Sequence, residues 1–519
     1  MKKLTAGLLT GLAALFFLLL GSCALGGEDA GNVTIRVGDG ESVDGRAALS
    51  PELIAQFRYE FSFTGPGQSF TRDLPAGVGA LILSLDPGTW TIAATAYTAA
   101  DTPAGSGSAT VTINRGSNSV RIPMARALYL VINSGSESAF TIPTNTARAY
   151  DWTIDWGDGA AETRTGTGAL DTGIAHSFPA ANTDYTVSIS ASGEGGHAAF
   201  GFSVDLNNFD IETPVFPSGV NSAANRNKVQ KALGHIQESS GGGDTWDYTF
   251  FFCTNLVEIS PDLLPAISNV GTDDPIFSGM FTGCAALSAL PGGFQIPALP
   301  PGTDYDYALS GMFNFSGLET VNLPTAAHIG GSMFAFCFNL STISLPEALT
   351  IGSDAFAGCL LLSAVNLPKL TTIGSNAFGQ CRSLARVDLP MVTTIDDRAF
   401  QGAGCTRVEL PQLTTLGSNV FSQCRSLTRV DIPVVTTIGE VAFYECTGLS
   451  TITLGASPPT VGKDLFDGIS LSQTITIRVP NGSMGAYVTT SFLQVAFKGR
   501  GSDNTGTANA YITLTPLGY

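Results

Sequence analysis

The sequence predicts a mainly β protein in which two β-sandwich modules precede a solenoid of short strands and short helical turns. Three observations support this prediction. Only 13% of the 519 residues are charged while 60 are glycine, which favours strands and turns over long helices. Short stretches of alternating apolar and polar residues recur through the N-terminal part of the chain. A motif of nearly constant length then repeats through the C-terminal part.

The chain begins with the layout of an export signal. Lys2 and Lys3 precede an apolar run from Leu8 to Leu20, which is short for a membrane span. The run ends in Leu20-Gly21-Ser22-Cys23, which resembles the bacterial lipobox. This resemblance implies that residues 1–22 are removed and that Cys23 is acylated, with residues 23–30 as a lipid-anchored linker. Several acyl chains, at about 0.8 kcal/mol per buried methylene, would hold the chain stably at a membrane.

Residues 31–126 are predicted to form the first sandwich. Alternating stretches such as Val33–Val37 and Leu81–Leu85 are separated by turn residues roughly every ten positions. The segment Asp86–Ile92 places a Pro-Gly turn before a strand that begins with an aromatic residue. It resembles the prealbumin-like or immunoglobulin-like modules that are common in surface proteins.

Residues 127–206 are predicted to form a second sandwich. Three pieces follow one another in it: Trp152–Gly159, His176–Phe178 and Tyr185–Ile189. In this order they resemble a PKD domain, which is an immunoglobulin-like sandwich of extracellular proteins. Asp155 and Asp158 are conceivable calcium ligands, but the segment lacks the carboxylates at every second residue of an EF-hand loop. A hydrogen-bonded turn is the favoured interpretation.

Residues 207–247 show little patterning and are interpreted as a linker and N-terminal cap. A short helix around Arg226 to Gln237 is expected there, followed by a flexible joint at Gly241–Gly243.

The repeat is the strongest signal in the chain. One unit reads Ile351-Gly352-Ser353-Asp354-Ala355-Phe356-Ala357-Gly358-Cys359, followed by Leu362, Val365, Leu367 and Pro368. Successive units from Ile329 to Ile438 are spaced by 22, 22, 22, 21 and 22 residues. The series begins at Phe250 and fades near Phe466, which predicts roughly ten coils within a solenoid of residues 248–469. The pattern resembles the leucine-rich repeats of the BspA and Treponema pallidum type.

The repeat also predicts how each coil is built. In Val365-Asn366-Leu367-Pro368 alternate side chains point into the coil, so a short strand should stack on its counterpart in the next coil at about 4.8 Å. Proline then ends the ladder because it has no amide donor. The coil at Phe400–Cys405 is one residue short, so a local kink is expected there. Residues 470–519 are expected to cap the open C-terminal end.

Seven of the eight repeat cysteines stand three residues after a phenylalanine. In an exported protein, an even number of cysteines also suggests disulfide bonds. One cysteine per coil at one structural position favours instead a buried column of free thiols. A metal site is not expected, because there is no C-x-x-C pair and the four histidines are scattered.

The composition and motifs favour binding over catalysis. A formal net charge of −18 argues against nucleic acid as a partner. The sequence holds no G-x-S-x-G elbow, phosphate-binding glycine loop or H-E-x-x-H motif, so neither an enzyme activity nor a cofactor is expected.

The best candidate for partner binding is a pair of charged columns on three neighbouring strands. The residues before and after the inward valine are Arg386, Asp388, Arg407, Glu409, Arg429 and Asp431, and together they are the charged strip. Arginine forks suit carboxylates or sulfates on a partner. The alternative, which is slightly favoured, is a solvated salt-bridge lattice that keeps the face soluble.

The resemblance to BspA-type repeats implies an adhesin-like cell-envelope lipoprotein that binds an unidentified host or bacterial protein. The membrane would be reached through the N-terminal lipid, and Ala24 after the cysteine favours the outer membrane or cell surface. A carbohydrate-binding accessory lipoprotein and a structural envelope protein are the alternatives. The exposed strand columns hold few aromatic residues, which favours a protein partner over a glycan.

Overall fold

A computed structural model of the chain describes residues 31–37, 58–78, 80–97, 103–122, 127–144, 150–166, 173–191, Phe200, 223–234, Ile236, 246–261, 263–265, Ile267, 274–470, 473–489 and 512–516. Nearly all regular structure within these ranges is β. The chain divides into two compact units, one mainly within Met1–Leu128 and the other mainly within the rest. The predicted signal peptide and Cys23 lie outside the described residues. Among the helices that the structure describes, none is long and apolar enough to cross a membrane.

Within its described residues, the first unit holds seven strands in two sheets. The strands are β1 (Gly31–Val37), β2 (Arg58–Gly65), β3 (Gln68–Leu74), β4 (Leu81–Leu85), β5 (Gly88–Tyr97), β6 (Pro103–Ile113) and β7 (Gly116–Ile122). One sheet has the order β4-β1-β7, in which β1 and β7 run parallel, and the other has the order β3-β2-β5-β6. The predicted alternation is clearest in β5, where Trp90, Ile92 and Ala94 are buried. They pack into one core with Phe61 and Phe63.

The second module forms a sheet that extends beyond its predicted boundary. Its strands are β8 (Leu128–Asn133), β9 (Ala139–Ile142), β10 (Tyr150–Asp155), β11 (Ala161–Gly166), β12 (Ile174–Ser177), β13 (Asp184–Ala191), β14 (Val229–Gly234) and β15 (Glu258–Ile259). Six of these make one sheet in the order β11-β10-β13-β8-β14-β15, and β9 pairs with β12. Because β15 belongs to the first coil, the sheet of this module continues into the start of the repeat region.

The helix expected around Arg226 to Gln237 is wrong. Helix α1 spans only Ala223–Arg226, and the following residues form strand β14. A short isolated helix has little stability of its own. Here the backbone finds partners on both sides, since the amide of Asn133 donates to the carbonyl of Lys228 at 2.8 Å and the amide of Val257 to the carbonyl of Gln230 at 2.8 Å. Pairing with distant strands therefore decides the local structure.

The solenoid itself is built from two short strands per coil. The first strands are β16 (Thr320–Asn322), β18 (Thr342–Ser344), β20 (Ala364–Asn366), β22 (Arg386–Asp388), β24 (Arg407–Glu409), β26 (Arg429–Asp431) and β28 (Thr451–Thr453). The second strands are β17 (His328–Ile329), β19 (Thr350–Ile351), β21 (Thr372–Ile373), β23 (Thr394–Ile395), β25 (Thr415–Leu416), β27 (Thr437–Ile438) and β29 (Thr460–Val461). Strands of neighbouring coils pair in parallel, as in β18 with β20 and β19 with β21, except that β20 does not pair with β22. Seven regular coils result, so the estimate of ten holds only when the irregular ends are included.

Phenylalanine rings form a continuous column in the interior of the solenoid. Each ring stacks on the ring of the next coil, with centroids 5.2–5.9 Å apart and interplanar angles of 3–15°. The column comprises Phe250, Phe281, Phe313, Phe334, Phe356, Phe378, Phe400, Phe421, Phe443 and Phe466. It extends beyond the seven regular coils at both ends. One coil cannot bury such a ring alone, so stability is shared along the stack.

The short coil at Phe400–Cys405 does not interrupt either ladder. Strand β22 pairs with β24, and β23 with β25, through the position of the missing residue. Ala403 is buried at the usual place of the cysteine, and Gly404 follows it. A Cβ atom at Gly404 would lie 1.9 Å from the carbonyl oxygen of Arg382, so only glycine allows the shortened turn to close. The first-strand ladder is interrupted instead between β20 and β22.

The repeat ends in two strands that extend the first ladder. Strand β30 (Ile475–Val479) pairs in parallel with β28, and β31 (Ile512–Pro516) pairs in parallel with β30. Helix α3 (Met484–Thr489) carries the buried Tyr487, whose hydroxyl donates to the carbonyl of Gly455 at 2.9 Å. A further short helix, α2 (Tyr305–Ala308), lies in the irregular N-terminal coils and is capped by the Asp304 side chain.

Candidate functional site

The charged strip lies on strands β22, β24 and β26, as the sequence predicts. In each strand the middle valine is buried, so its two neighbours point to the opposite face. The parallel register places Arg386, Arg407 and Arg429 beside one another, and Asp388, Glu409 and Asp431 beside one another. The structure therefore brings all six predicted residues together on one face.

Each arginine in the strip pairs with the carboxylate two residues later. Arg386 Nη2 lies 3.2 Å from Asp388 Oδ2, and Arg429 Nε lies 2.7 Å from Asp431 Oδ2. Arg407 pairs with Glu409 and also reaches Asp431 in the next coil, at 3.8 Å. Four of the six charges, those of Arg407, Glu409, Arg429 and Asp431, form a connected network, whereas Arg386 and Asp388 form a separate pair. Ion pairing within the strip is what the solubilising alternative predicts.

The strip changes in exposure along the solenoid. The side chain of Arg386 is 69% exposed, whereas that of Asp431 is only 17% exposed. A guanidinium carries five N–H donors, and the pair with Asp388 engages only Nη2 of Arg386. The exposed Arg386 side chain therefore keeps N–H donors that Asp388 does not use. Asp431, in contrast, is mostly buried and is paired with Arg429.

Asp431 is the most strongly held carboxylate of the strip. Burial acts to raise its pKa, but hydrogen bonds from Arg429 and Thr453 outweigh burial and lower the pKa below its ordinary value. The hydrogen bond to Asp431 correspondingly raises the pKa of Arg429. These two groups stay charged over the whole physiological range, which fits a structural role at this end of the strip.

The aspartates of the second module form a hydrogen-bonded turn, as favoured above. Asp155 Oδ1 accepts from the amide of Gly157 at 2.9 Å, and Asp158 Oδ1 accepts from the amide of Ala160 at 3.0 Å. Asp158 Oδ2 lies 2.8 Å from Nε2 of His176, and this hydrogen bond lowers the pKa of Asp158. The part of the chain that the structure describes holds no group of three or more His, Cys, Asp or Glu side chains that could bind a metal ion.

The eight repeat cysteines are buried and free, as the thiol-column interpretation predicts. Most donate to the carbonyl of a phenylalanine one coil earlier, for example Cys359 Sγ to Phe334 O at 3.1 Å and Cys446 Sγ to Phe421 O at 2.9 Å. Burial raises the pKa of Cys253 to about 12 and that of Cys337 to about 11. Such thiols are protonated at physiological pH and are poor nucleophiles.

Sequence reasoning considered only the strand faces and missed exposed aromatic residues on the turns. Phe336 and Phe338 flank the buried Cys337, and both are exposed. A signal was present, because the residue after the cysteine is polar or small in most coils but is Phe338 and Leu360 in two of them.

Comparisons with known proteins agree with the repeat geometry. The family described as "BspA type Leucine rich repeat region" matches residues 307–427, 350–472 and 414–492. No curated protein matches the chain.

Three solved structures are similar to parts of the chain. The leucine-rich-repeat protein TpLRR of T. pallidum is 30% identical, over 29% of this chain and 76% of that one, with a TM-score of 0.28. A leucine-rich cell surface protein of Faecalibacterium prausnitzii A2-165 is 18% identical, over 38% and 79% of the two chains, with a TM-score of 0.20. The pneumococcal vaccine antigen PcpA is 14% identical, over 56% and 95%, with a TM-score of 0.20.

Proposed function

The repeat region of this chain belongs to the BspA-type leucine-rich-repeat family, and from this premise we propose that the protein is a lipid-anchored, adhesin-like protein of the cell envelope. Its role in this proposal is to bind a partner protein through the solenoid rather than to catalyse a reaction. The observation that carries the proposal is the charged strip. Its charges stand in register on a face whose backbone is fixed by parallel ladders.

The strip suits recognition because its geometry is repetitive and rigid. Paired columns of opposite charge are complementary to a partner with the inverse arrangement, and they favour one orientation of binding. The exposed Arg386 end is the place where a partner's carboxylate or sulfate gains most, since the buried end is already satisfied. The PKD-like character of the second module remains a prediction, and that module would serve with the first as a stalk.

The anchoring part of the proposal rests on the sequence. The lipobox-like segment ending at Cys23 would attach the chain to a membrane, and Ala24 favours the outer membrane or cell surface. Labelling of cells with a radioactive or alkyne-bearing fatty acid tests this directly. The wild-type chain should take up label and a Cys23→Ser variant should not; equal labelling of both would reject the anchor.

The binding part of the proposal is tested by replacing the three arginines of the charged strip. Beads coated with the full chain are applied to epithelial monolayers, and attachment is compared with beads that carry Arg386→Ser, Arg407→Ser and Arg429→Ser together. We expect attachment to fall by about tenfold or more. A matched control, Arg164→Ser with Arg398→Ser and Arg425→Ser, removes the same charge outside the strip and should attach normally. Equal attachment by the strip variant and the wild type would reject the strip as the binding surface.

A further inference from the structure

We propose that a second surface, on the turn side of the solenoid, binds a peptide segment of a partner protein that carries apolar side chains beside a carboxylate. This aromatic patch comes from three successive coils and consists of Phe315, Phe336, Phe338, Leu360 and Leu361. It contains none of the residues of the charged strip. The inference therefore goes beyond the strip and can fail or succeed independently of it.

The patch is apolar, and its three aromatic rings lie against one another. The exposed fractions are 40% for Phe336, 48% for Phe338 and 52% for Leu361. The Phe315 and Phe336 ring centroids are 4.8 Å apart, and those of Phe336 and Phe338 are 6.2 Å apart. Neighbouring exposed apolar side chains of this kind mark binding surfaces, whereas isolated ones do not.

Other exposed apolar residues of the solenoid lack this grouping. Met391 is exposed, but its counterparts in the adjacent coils are Lys369 and Gln412. The aromatic patch is thus a local departure from the repeat and not a property of every coil.

The patch is also held rigidly. The amide of Phe315 donates to the carbonyl of Ala335 at 3.0 Å, and the amide of Phe336 donates to the carbonyl of Ala357 at 2.7 Å. The Phe336 ring lies over Gly358, where an added Cβ atom would come within 2.6 Å of it. A platform fixed by inter-coil hydrogen bonds loses little conformational freedom when a partner binds.

The backbone at the two central rings is strained. Phe315 and Phe336 have φ of 55° and 56°, in the left-handed region that bulky residues rarely adopt. The same position is left-handed in the later coils too, where it is held by Gly358, Gln380, Gly402, Gln423 and Glu445, none of which is aromatic. A phenylalanine that is strained and also partly exposed receives little stabilisation from burial, and such residues are typical of sites selected for binding.

The charge beside the patch indicates the kind of partner. Arg382 follows Phe338 and Leu360 in the same column, one coil further on, and the hydroxyl of its neighbour Ser383 donates to the carbonyl of Leu360 at 2.8 Å. Arg382 itself donates only to the neutral Gln380 side chain, at 3.2 Å. Within the described part of the chain no carboxylate forms an ion pair with Arg382. An apolar platform with an adjacent unpaired cation is complementary to an apolar side chain followed by Asp or Glu.

The arrangement of the rings favours a peptide over a glycan. Sugars stack on an open aromatic face, but the Phe315 and Phe336 rings are stacked at an interplanar angle of 13°, so each covers a face of the other. Outside this stacked pair the patch offers ring edges, leucine methyl groups and the tilted Phe338 ring, and these surfaces pack against apolar side chains. Buried apolar anchors of this type dominate protein–protein affinity.

The test uses the full chain carrying Cys23→Ser, panned against a random dodecapeptide display library. We expect the selected peptides to share an apolar residue next to Asp or Glu. Phe336→Gln should weaken a selected peptide's Kd by about tenfold or more, because it removes the central ring. This change preserves the fold, since Gln380 occupies the equivalent left-handed position with φ of 59°. Met391→Ser and the triple serine variant of the charged strip serve as controls and should bind normally.

A charge exchange tests the role of Arg382. Arg382→Glu should weaken the selected acidic peptide by about tenfold, and the same peptide with Lys in place of its acidic residue should regain affinity for that variant. Three outcomes would overturn the proposal: selected peptides without the apolar-acidic pattern, peptide binding that Phe336→Gln leaves unchanged, or a glycan-array ligand whose binding depends on Phe336. Loss of peptide binding in the strip variant alone would move the site to the strip.

Discussion

At the scale of single residues, each regular coil has two recurring left-handed positions, of which the first is held by a short polar residue in most coils. This first position lies in the turn after the second strand, where φ is 49–60° in every regular coil. Asn and Asp tolerate this conformation because their side chains are short and polar, whereas a β-branched residue does not. The occupants are Ser332, Asp354, Asn376, Arg398, Asn419, Val441 and Asp464. Val441 is therefore a point of local strain.

Replacing this valine should stabilise the solenoid. Val441→Asn relieves the left-handed strain and should raise the free energy of unfolding by about 1 kcal/mol. The equivalent position one coil earlier provides the reciprocal variant, Asn419→Val, which should lower it by a similar amount. Denaturant unfolding of both variants measures the effect. A loss of stability in Val441→Asn would show that the valine side chain contributes more through packing than it costs in strain.

Asp431 should make stability depend on pH. The pKa of Asp431 in the folded protein lies below the ordinary value of 3.8. The stability that this side chain contributes is therefore complete above pH 3.8 and is lost as the pH falls through the lower folded pKa. Asp431→Asn should therefore cost about 1–2 kcal/mol at neutral pH and should flatten the loss of stability in acid. Asp388→Asn, at the exposed end of the strip, should cost less. Equal acid sensitivity of wild type and Asp431→Asn in thermal unfolding would contradict this role.

At the scale of elements, strict periodicity decided what could be predicted from the sequence. Between Ile329 and Ile438 the inward Val, Leu, Phe and Cys positions recur every 21 or 22 residues, so the strands and the thiol column of these coils were predictable. Strand β14 was not, because its partners β8 and β15 are far away in the sequence. The charged strip was found because it lies on strands, whose alternation is readable. The aromatic patch was missed because turns have no such alternation, and the exposure of Phe336 follows from a left-handed backbone.

The thiol column predicts a specific pattern of chemical labelling. In a Cys23→Ser chain, none of the eight buried thiols should react with a maleimide under native conditions. All eight are buried, and burial raises the pKa of thiols such as those of Cys253 and Cys337. All eight should react in denaturant without prior reduction. Mass spectrometry counts the labels, with a reduced and denatured sample as the reference. Fewer than eight labels without reductant would reveal disulfide bonds and contradict the free-thiol column.

At the scale of the whole molecule, the sheet edges are treated differently in different parts of the chain. In the first unit the core lies between two sheets. In the second module, strand β14 lies at the side of the sheet and pairs with β15 of the first coil. At the other end β30 and β31 extend the first-strand ladder by two strands. That β-sheet domains precede a solenoid could be predicted from composition and spacing. The sheet that the second module shares with the first coil could not be predicted, because residues 207–247 show little alternation of apolar and polar side chains.

The central claim is that Cys23 holds a binding solenoid on the outside of the cell. Brief treatment of intact cells with proteinase K, followed by detection of the solenoid and of an internal marker protein, tests it most directly. The account predicts that the solenoid of the wild-type chain is cleaved while the marker stays intact, and that Cys23→Ser leaves no solenoid on the cells. A wild-type solenoid that resists the protease on intact cells, yet is cleaved once the envelope is opened, would contradict it.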